Sequence, residues 1–187
     1  EGIITMVDGD DFTPLANILP PTNFHITQML VGNFNNAKDY DEVAVLSERS
    51  SPETGTIDWY TNNGDWMYRT NINATKDLDY MFAGHFRGDA TQLDIMLYVD
   101  VTGFWMYRGD TGVRQWTLSY TSVVVDFTSG YFNTGNYEDF AFIGIVLDVS
   151  TWKYELRVYT SIAGSYTWQY FKLFGLTEIR EIIAGDI

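Results

Sequence analysis

The stretch LDYMFAGHFRGDATQLDIMLYV, residues 78–99, decides the fold, because its order of parts recurs along the chain. It runs as a short apolar strand closed by Gly84, one variable residue, the large apolar Phe86, a polar turn, Asp94 and a second apolar strand. Upstream the same order appears in ITQMLVGNF, ending at Phe34, with NNAKDYDEVAVL at 35–46 after it. Downstream it appears in VVVDFTSGYF, ending at Phe132, with NTGNYEDFAFIGIV at 133–146. A fourth copy of the glycine motif, IREIIAGDI, lies at 179–187. Gly32, Gly84, Gly130 and Gly185 are spaced by 52, 46 and 55 residues, a period typical of repeat architectures with loops of unequal length.

Each complete copy goes on to another strand and a glycine-bearing turn: TIDWYTNNGDW at 56–66, FWMYRGDTGVRQW at 104–116 and YELRVYTSIAGSYTW at 154–168. These turns lead to Trp66, Trp116 and Trp168, and the shared position points to core between repeats. GIITMVDGDDF at 2–12 matches the same strand and turn, with Phe12 in place of the indole, so the chain starts inside a repeat. Counted from each glycine, the units are 1–31 (partial), 32–83, 84–129 and 130–187, with fifteen strands expected.

No long apolar pattern of helical period interrupts the strands. One small four-stranded sheet cannot cover both its faces, whereas stacking on neighbours can. The sequence therefore predicts an all-β chain, a β-propeller of four-stranded antiparallel blades, about four in this chain, forming one propeller domain or part of a larger one. A two-layer sandwich with chance likeness between hairpins leaves the aligned glycines unexplained. Each motif glycine is expected either to hold a backbone conformation closed to side chains or to let a neighbour approach closely.

The repeat resembles the FG-GAP, or integrin-α-type, propeller repeat, on GNFNNAKDYDEVAVL from Gly32, GHFRGDATQLDIML from Gly84 and GYFNTGNYEDFAFI from Gly130. The second of these has one extra residue when Asp41, Asp94 and Asp139 are aligned as closing acids. The resemblance implies a loop that often binds Ca²⁺ through alternating Asp and Asn oxygens. Carried over, the positions are Asn33, Asn35, Ala37 and Asp41, then His85, Arg87, Asp89 and Asp94, then Tyr131, Asn133, Gly135 and Asp139. Calcium takes six to eight oxygen ligands. Ala37 and Gly135 each remove one, and Arg87 brings a like charge, which leaves Asn33, Asn35 and Asp41 as a weak calcium candidate. Without metal, the aspartates are expected to cap backbone N–H groups of their turns.

Composition narrows the partners. In 187 residues there are 11 Lys and Arg against 25 Asp and Glu, a net charge of −14, which repels nucleic acid and anionic membranes. A cation, a neutral glycan or a basic protein fits better, unless the acidity serves only solubility. There is no cysteine, which removes disulfides and thiolate chemistry, and no apolar run long enough to span a membrane. The opening residues carry no leader, so either one has been removed or the chain begins inside a larger protein. The lectin-like reading below implies an extracellular, periplasmic or cell-surface setting.

Catalytic patterns are sparse. His25 and His85 belong to no HExxH or nucleophile-elbow spacing, and no Walker or GxGxxG pattern occurs. Tryptophans off the repeat position, Trp59, Trp105 and Trp152, are better ligand platforms. The binding clusters this predicts are Asp58, Trp59, Tyr60 and Asn62 in one copy, Trp105, Tyr107 and Arg108 in the next, and Arg157 with Tyr159 in the third. Arg-Gly-Asp occurs at 87–89 and at 108–110, both in expected turns. These features favour a noncatalytic module that binds carbohydrate or protein at blade edges. The alternatives are an assembly segment that closes by pairing with another subunit, including a homo-oligomer, or with the rest of a larger protein, and a hydrolase or lyase with a site in a central channel.

Overall fold

The computed structural model describes residues 2–8, 10–35, 41–50, 53–62, 64–73, 77–87, 91–132, 138–162 and 165–174, with backbone alone at 50, 53, 79, 161–162, 165–171 and 173. Strands β1 (Ile4–Val7) and β2 (Pro14–Ile18) form a two-stranded sheet. The first four-stranded sheet follows, from β3 (His25–Gly32), β4 (Glu42–Ser50), β5 (Glu53–Tyr60) and β6 (Trp66–Ile72). The second comprises β7 (Leu78–Gly84), β8 (Asp94–Val99), β9 (Gly103–Tyr107) and β10 (Arg114–Ser119). The third comprises β11 (Val123–Gly130), β12 (Asp139–Asp148), β13 (Thr151–Ile162) and β14 (Ser165–Phe174).

Each sheet is an antiparallel meander in chain order, so its hydrogen bonds are local. The strand that ends in each motif glycine opens its own sheet, which keeps the sequence period but shifts its phase upstream of Gly32, Gly84 and Gly130. Fourteen strands lie among the described residues. The expected fifteenth, over 179–187, falls outside them. Among the described residues no helix is long and apolar enough to cross a membrane.

Strand β8 shows how the sheets stack. Its six residues, DIMLYV, are all buried, which a strand with one wet face would not permit. Because side chains alternate, Ile95, Leu97 and Val99 enter one cluster with Phe34, Ala44, Leu46, Ile57 and Trp59 of the first sheet. Met96 and Tyr98 enter another with Phe140, Phe142 and Tyr159 of the third. A smaller cluster joins Ile18 of β2 to Val43, Val45 and Tyr60 of the first sheet. Each four-stranded sheet thus packs against the next in sequence, a propeller-like arrangement. Burying one such Leu or Phe side chain stabilises by about 1.5–3 kcal/mol.

The same contacts recur at both junctions between four-stranded sheets. The N–H of Leu93 donates to the carbonyl of Asn33 at 2.7 Å, and that of Glu138 donates to the carbonyl of His85 at 3.1 Å. Both donors directly precede a closing acid, and both acceptors directly follow a motif glycine. A Cβ on Gly32 would stand 2.4 Å from Leu93 Cδ1, and one on Gly84 would stand 2.9 Å from Glu138 Oε2. Close approach, one of the two expected reasons, is thus what these glycines accommodate: the next sheet at Gly32, and at Gly84 both the next sheet and the Phe86 ring of its own repeat, whose Cζ would stand 2.6 Å away.

The closing acid of the first copy needs correction. Strand register sets Glu42 opposite Gly32, as it sets Asp94 opposite Gly84 and Asp139 opposite Gly130. Asp41 is exposed, one residue out of register, and a one-residue slip turns a side chain to the other face. Glu42 Oε2 accepts from the backbone N–H groups of Phe34 at 2.7 Å and Asn35 at 3.4 Å. Asp139 Oδ2 accepts from Phe132 N–H at 2.9 Å. The expected capping role is performed, with Glu42 in place of Asp41 in the first sheet.

Candidate functional site

The register that aligns the sheets also aligns the predicted binding clusters. Tyr60, Tyr107 and Tyr159 lie opposite Val43, Ile95 and Phe140, each the first residue after a closing acid. All three tyrosines are buried, which corrects the expectation that they meet ligand at an edge. Tyr159 lies parallel to Phe140 at 5.1 Å between ring centroids. Burial pushes the Tyr107 hydroxyl up to about 12, with Arg114 pulling it the other way.

Two residues before each tyrosine stand Asp58, Trp105 and Arg157, so one structural position carries an acid, an indole and a guanidinium. Each is matched to its own surroundings. Asp58 is buried and accepts from Arg69 Nε at 2.5 Å, Thr56 Oγ1 at 3.1 Å and Trp66 Nε1 at 3.4 Å. Arg157 pairs with Glu155 and lies over the Tyr120 ring, 5.1 Å from its centroid. Neither is offered to a ligand.

Trp59 is the clearest correction to the expected platforms. It has no exposed surface and stacks on Tyr68, with ring centroids 4.8 Å apart. Strand β5 is covered on both faces, so its indole has nowhere wet to point. Trp66, expected in the core, is instead 59% exposed on the outermost strand β6. Trp116 is half-buried against Phe140, and Trp152 is exposed. Asn62 is half-buried in the turn after β5.

The second Arg-Gly-Asp turn is tied to itself, with Arg108 Nε donating to Asp110 Oδ1 at 2.8 Å. Its Gly109 N–H donates to Asp94 Oδ1 at 3.2 Å. Asp94 also pairs with Arg87 at 2.8 Å; burial pushes its carboxyl up and Arg87 pulls it down. The weak calcium candidate at Asn33, Asn35 and Asp41 spans residues 36–40, which lie outside the described residues; in the described part the Asn33 backbone carbonyl accepts from Leu93, and Glu42 stands at the closing position in place of Asp41. Among the described residues no three His, Cys, Asp or Glu side chains converge as a metal site requires.

One predicted cluster does open to solvent. Between the first and second sheets lies a cleft of about 320 Å³, lined by Thr70, Asn71, Ile72 and Asn73 on one side and Trp105, Tyr107 and Arg114 on the other. That volume is at the lower end of the range of about 300–1,000 Å³ for ligand pockets. The Trp105 indole is half-exposed, and the Arg114 guanidinium lies over it, 4.8 Å from the ring centroid. Arg114 also hydrogen-bonds Tyr107, whose buried phenol forms part of the wall. Thr70 Oγ1 donates to the Gly112 carbonyl at 2.6 Å, and Tyr68 donates to the Gly109 carbonyl, so the β9–β10 turn is latched onto the first sheet beside the cleft.

Sequence reasoning found Trp105 and Tyr107 but missed Thr70, Asn71, Asn73 and Arg114. The cleft is built from two successive repeats, so no spacing within one repeat reveals it.

No family model matches the sequence, and no curated protein matches it. Among solved structures, the Bacillus licheniformis rhamnogalacturonan lyase PL11 matches with a TM-score of 0.59 at 13% identity. The match covers 80% of this chain and 34% of that one, so the chain spans about a third of the length of the enzyme it resembles. At this identity the likeness bears on fold, and it agrees with small antiparallel sheets stacked in propeller-like order.

Proposed function

We propose that the chain is a segment of a β-propeller that binds carbohydrate without catalysis, through the cleft between the first two four-stranded sheets. The observation that carries this reading is the half-exposed Trp105 ring beside the exposed amides of Asn71 and Asn73. An indole face takes the C–H face of a sugar, and amides satisfy its hydroxyls. Tyr107 is buried and forms part of the cleft wall. The enzyme with the similar fold is by name a polysaccharide lyase, which agrees with a carbohydrate ligand. Such a ligand implies an extracellular, periplasmic or cell-surface setting.

The segment reading rests on the first sheet's edge. Met29 and Val31 of β3 are 45% and 57% exposed, an apolar face that β1 and β2 leave uncovered. Further strands, from the rest of a longer protein or a second subunit, would bury it.

Titration calorimetry of the chain against a panel of neutral and acidic oligosaccharides tests the binding role. Trp105→Ala is expected to lose roughly tenfold in affinity, the equivalent of about 1.4 kcal/mol of stacking. Trp66→Ala, at an exposed indole outside the cleft lining, should retain it. Silence toward every sugar, or binding indifferent to Trp105, would reject the proposal.

A further inference from the structure

We infer that the cleft is selective for a carboxylate-bearing sugar, a uronate, and that Arg114 is the residue that reads it; this rests on the carbohydrate reading above. The chain has few cations, and most of those described are already paired with an acid. Arg69, Arg87, Arg108, Lys153 and Arg157 are each ion-paired with an Asp or Glu of the chain. Arg49, Arg114 and Lys172 have no ion pair among the described residues, although the chain carries 25 acidic residues and a net charge of −14, and of these three Arg114 is the one that lines the cleft. Its guanidinium is instead held by uncharged partners, the Trp105 ring and the Tyr107 phenol.

That arrangement fixes the cation without neutralising it. Stacking occupies one face of the guanidinium plane, while its N–H donors lie along the edge. A guanidinium has five such donors in a planar fork that matches the two oxygens of a carboxylate. Holding the plane against an indole removes rotamer freedom before the ligand arrives, so less entropy is lost on binding. None of the seven lining residues is acidic, so a ligand carboxylate entering the cleft meets a cation and no like charge there.

The surroundings favour a sugar as the source of that carboxylate. Trp105 offers ring surface beside the cation, and Asn71, Asn73 and Thr70 offer donors and acceptors suited to ring hydroxyls. An acidic peptide would bring several charges toward a strongly acidic protein, whereas a single uronate brings one to the point where a cation is waiting.

The test uses the full chain and three probes in calorimetry: a trisaccharide carrying a single galacturonic acid residue, the same trisaccharide with that carboxyl reduced to a hydroxymethyl group, and triglutamate. The uronate trimer is expected to bind at least tenfold more tightly than its reduced counterpart. Arg114→Gln should abolish that preference, so that the two trimers bind the variant equally. Arg114→Lys should recover only part of it, because an ammonium lacks the fork. Circular dichroism confirms that both variants fold, as expected for an exposed side chain. Equal binding of the two trimers would overturn the uronate assignment and leave the carbohydrate reading standing. Failure of both trimers would remove both proposals. Triglutamate binding as tightly as the uronate, and equally lost in Arg114→Gln, would overturn the sugar as the source of the carboxylate.

Discussion

The two junctions between four-stranded sheets share a backbone plan and differ in what fills them. At the first, the cluster is mainly aliphatic, built on Leu46, Ile57, Ile72, Leu97 and Val99 with Trp59 and Tyr107 at its margins. At the second it is mainly aromatic, built on Phe82, Phe86, Tyr98, Phe104, Phe140 and Phe142. The first leaves a cleft at its outer side, and the second does not fill that place in the same way. Ile72 and Tyr120 occupy corresponding positions, each one residue past the partner of the strand before it: Asn71 lies opposite Thr56, and Ser119 opposite Gly103. The isoleucine stops short. The tyrosine reaches Gly144, where an added Cβ would stand within 2.8 Å of its ring, and Arg157 covers it. Repetition of the fold thus comes with a different side chain at the seam of each junction, Ile72 beside the cleft of the first and Tyr120 against Gly144 in the second.

The largest expected effect comes from breaking the aromatic junction. Phe104 is fully buried, with ring centroids of Phe142 at 4.9 Å, Tyr98 at 5.1 Å and Phe140 at 5.3 Å. Phe104→Ala removes the ring at the centre of that set and leaves a cavity its neighbours cannot fill without leaving their own rotamers. A loss of about 3–5 kcal/mol is expected, read from the midpoint of urea unfolding. An effect below about 1 kcal/mol would mean that the second and third sheets do not share a packed core.

The aliphatic junction is held by backbone fit, and Gly109 is where that fit is tightest. A Cβ there would stand 1.9 Å from the Leu93 carbonyl oxygen and 3.0 Å from Phe34 Cδ1. The first obstacle is backbone of the segment just before β8 and cannot rotate away, so Gly109→Ala has to displace the β9–β10 turn from its packed position. A cost of about 1–3 kcal/mol is expected, as for other overpacked sites, measured by the same unfolding curve. Because Tyr68 latches the Gly109 carbonyl beside the cleft, oligosaccharide affinity should fall in parallel.

What was legible in the sequence follows the same division. The glycine motif was readable because close packing against the next sheet recurs at Gly32 and Gly84. The closing acid was misread at Asp41 because residue type outweighed spacing. Counting ten residues from Gly32 as from Gly84 reaches Glu42, so the first two copies agree in length and the third, from Gly130 to Asp139, is one residue shorter. Trp59 and Trp66 were exchanged in exposure for a different reason. A strand sandwiched on both faces, such as β5, gives no alternation to read, while repeated position alone cannot tell an outermost strand from an inner one. The cleft was invisible because Asn71 and Arg114 belong to different repeats and meet only across a seam.

The smallest expected effect tests whether charge also distinguishes the junctions. Asp110 sits in the turn that the first sheet latches, paired with Arg108 and 3.8 Å from Arg87. The hydrogen bond from Arg108 holds its carboxyl below the usual carboxylate range, with burial opposing. A carboxyl whose pKa is lowered on folding contributes stability above its ordinary, unfolded value, and that contribution is lost as pH falls through the lowered folded value. Asp110→Asn should therefore be less stable than the parent near neutral pH, with the two unfolding midpoints converging in acid. Partial exposure and screening keep the difference under about 1 kcal/mol. A difference that persists unchanged at low pH would show that the turn is held by its backbone contacts to Tyr68 and Thr70 alone, with no share from the ion pair.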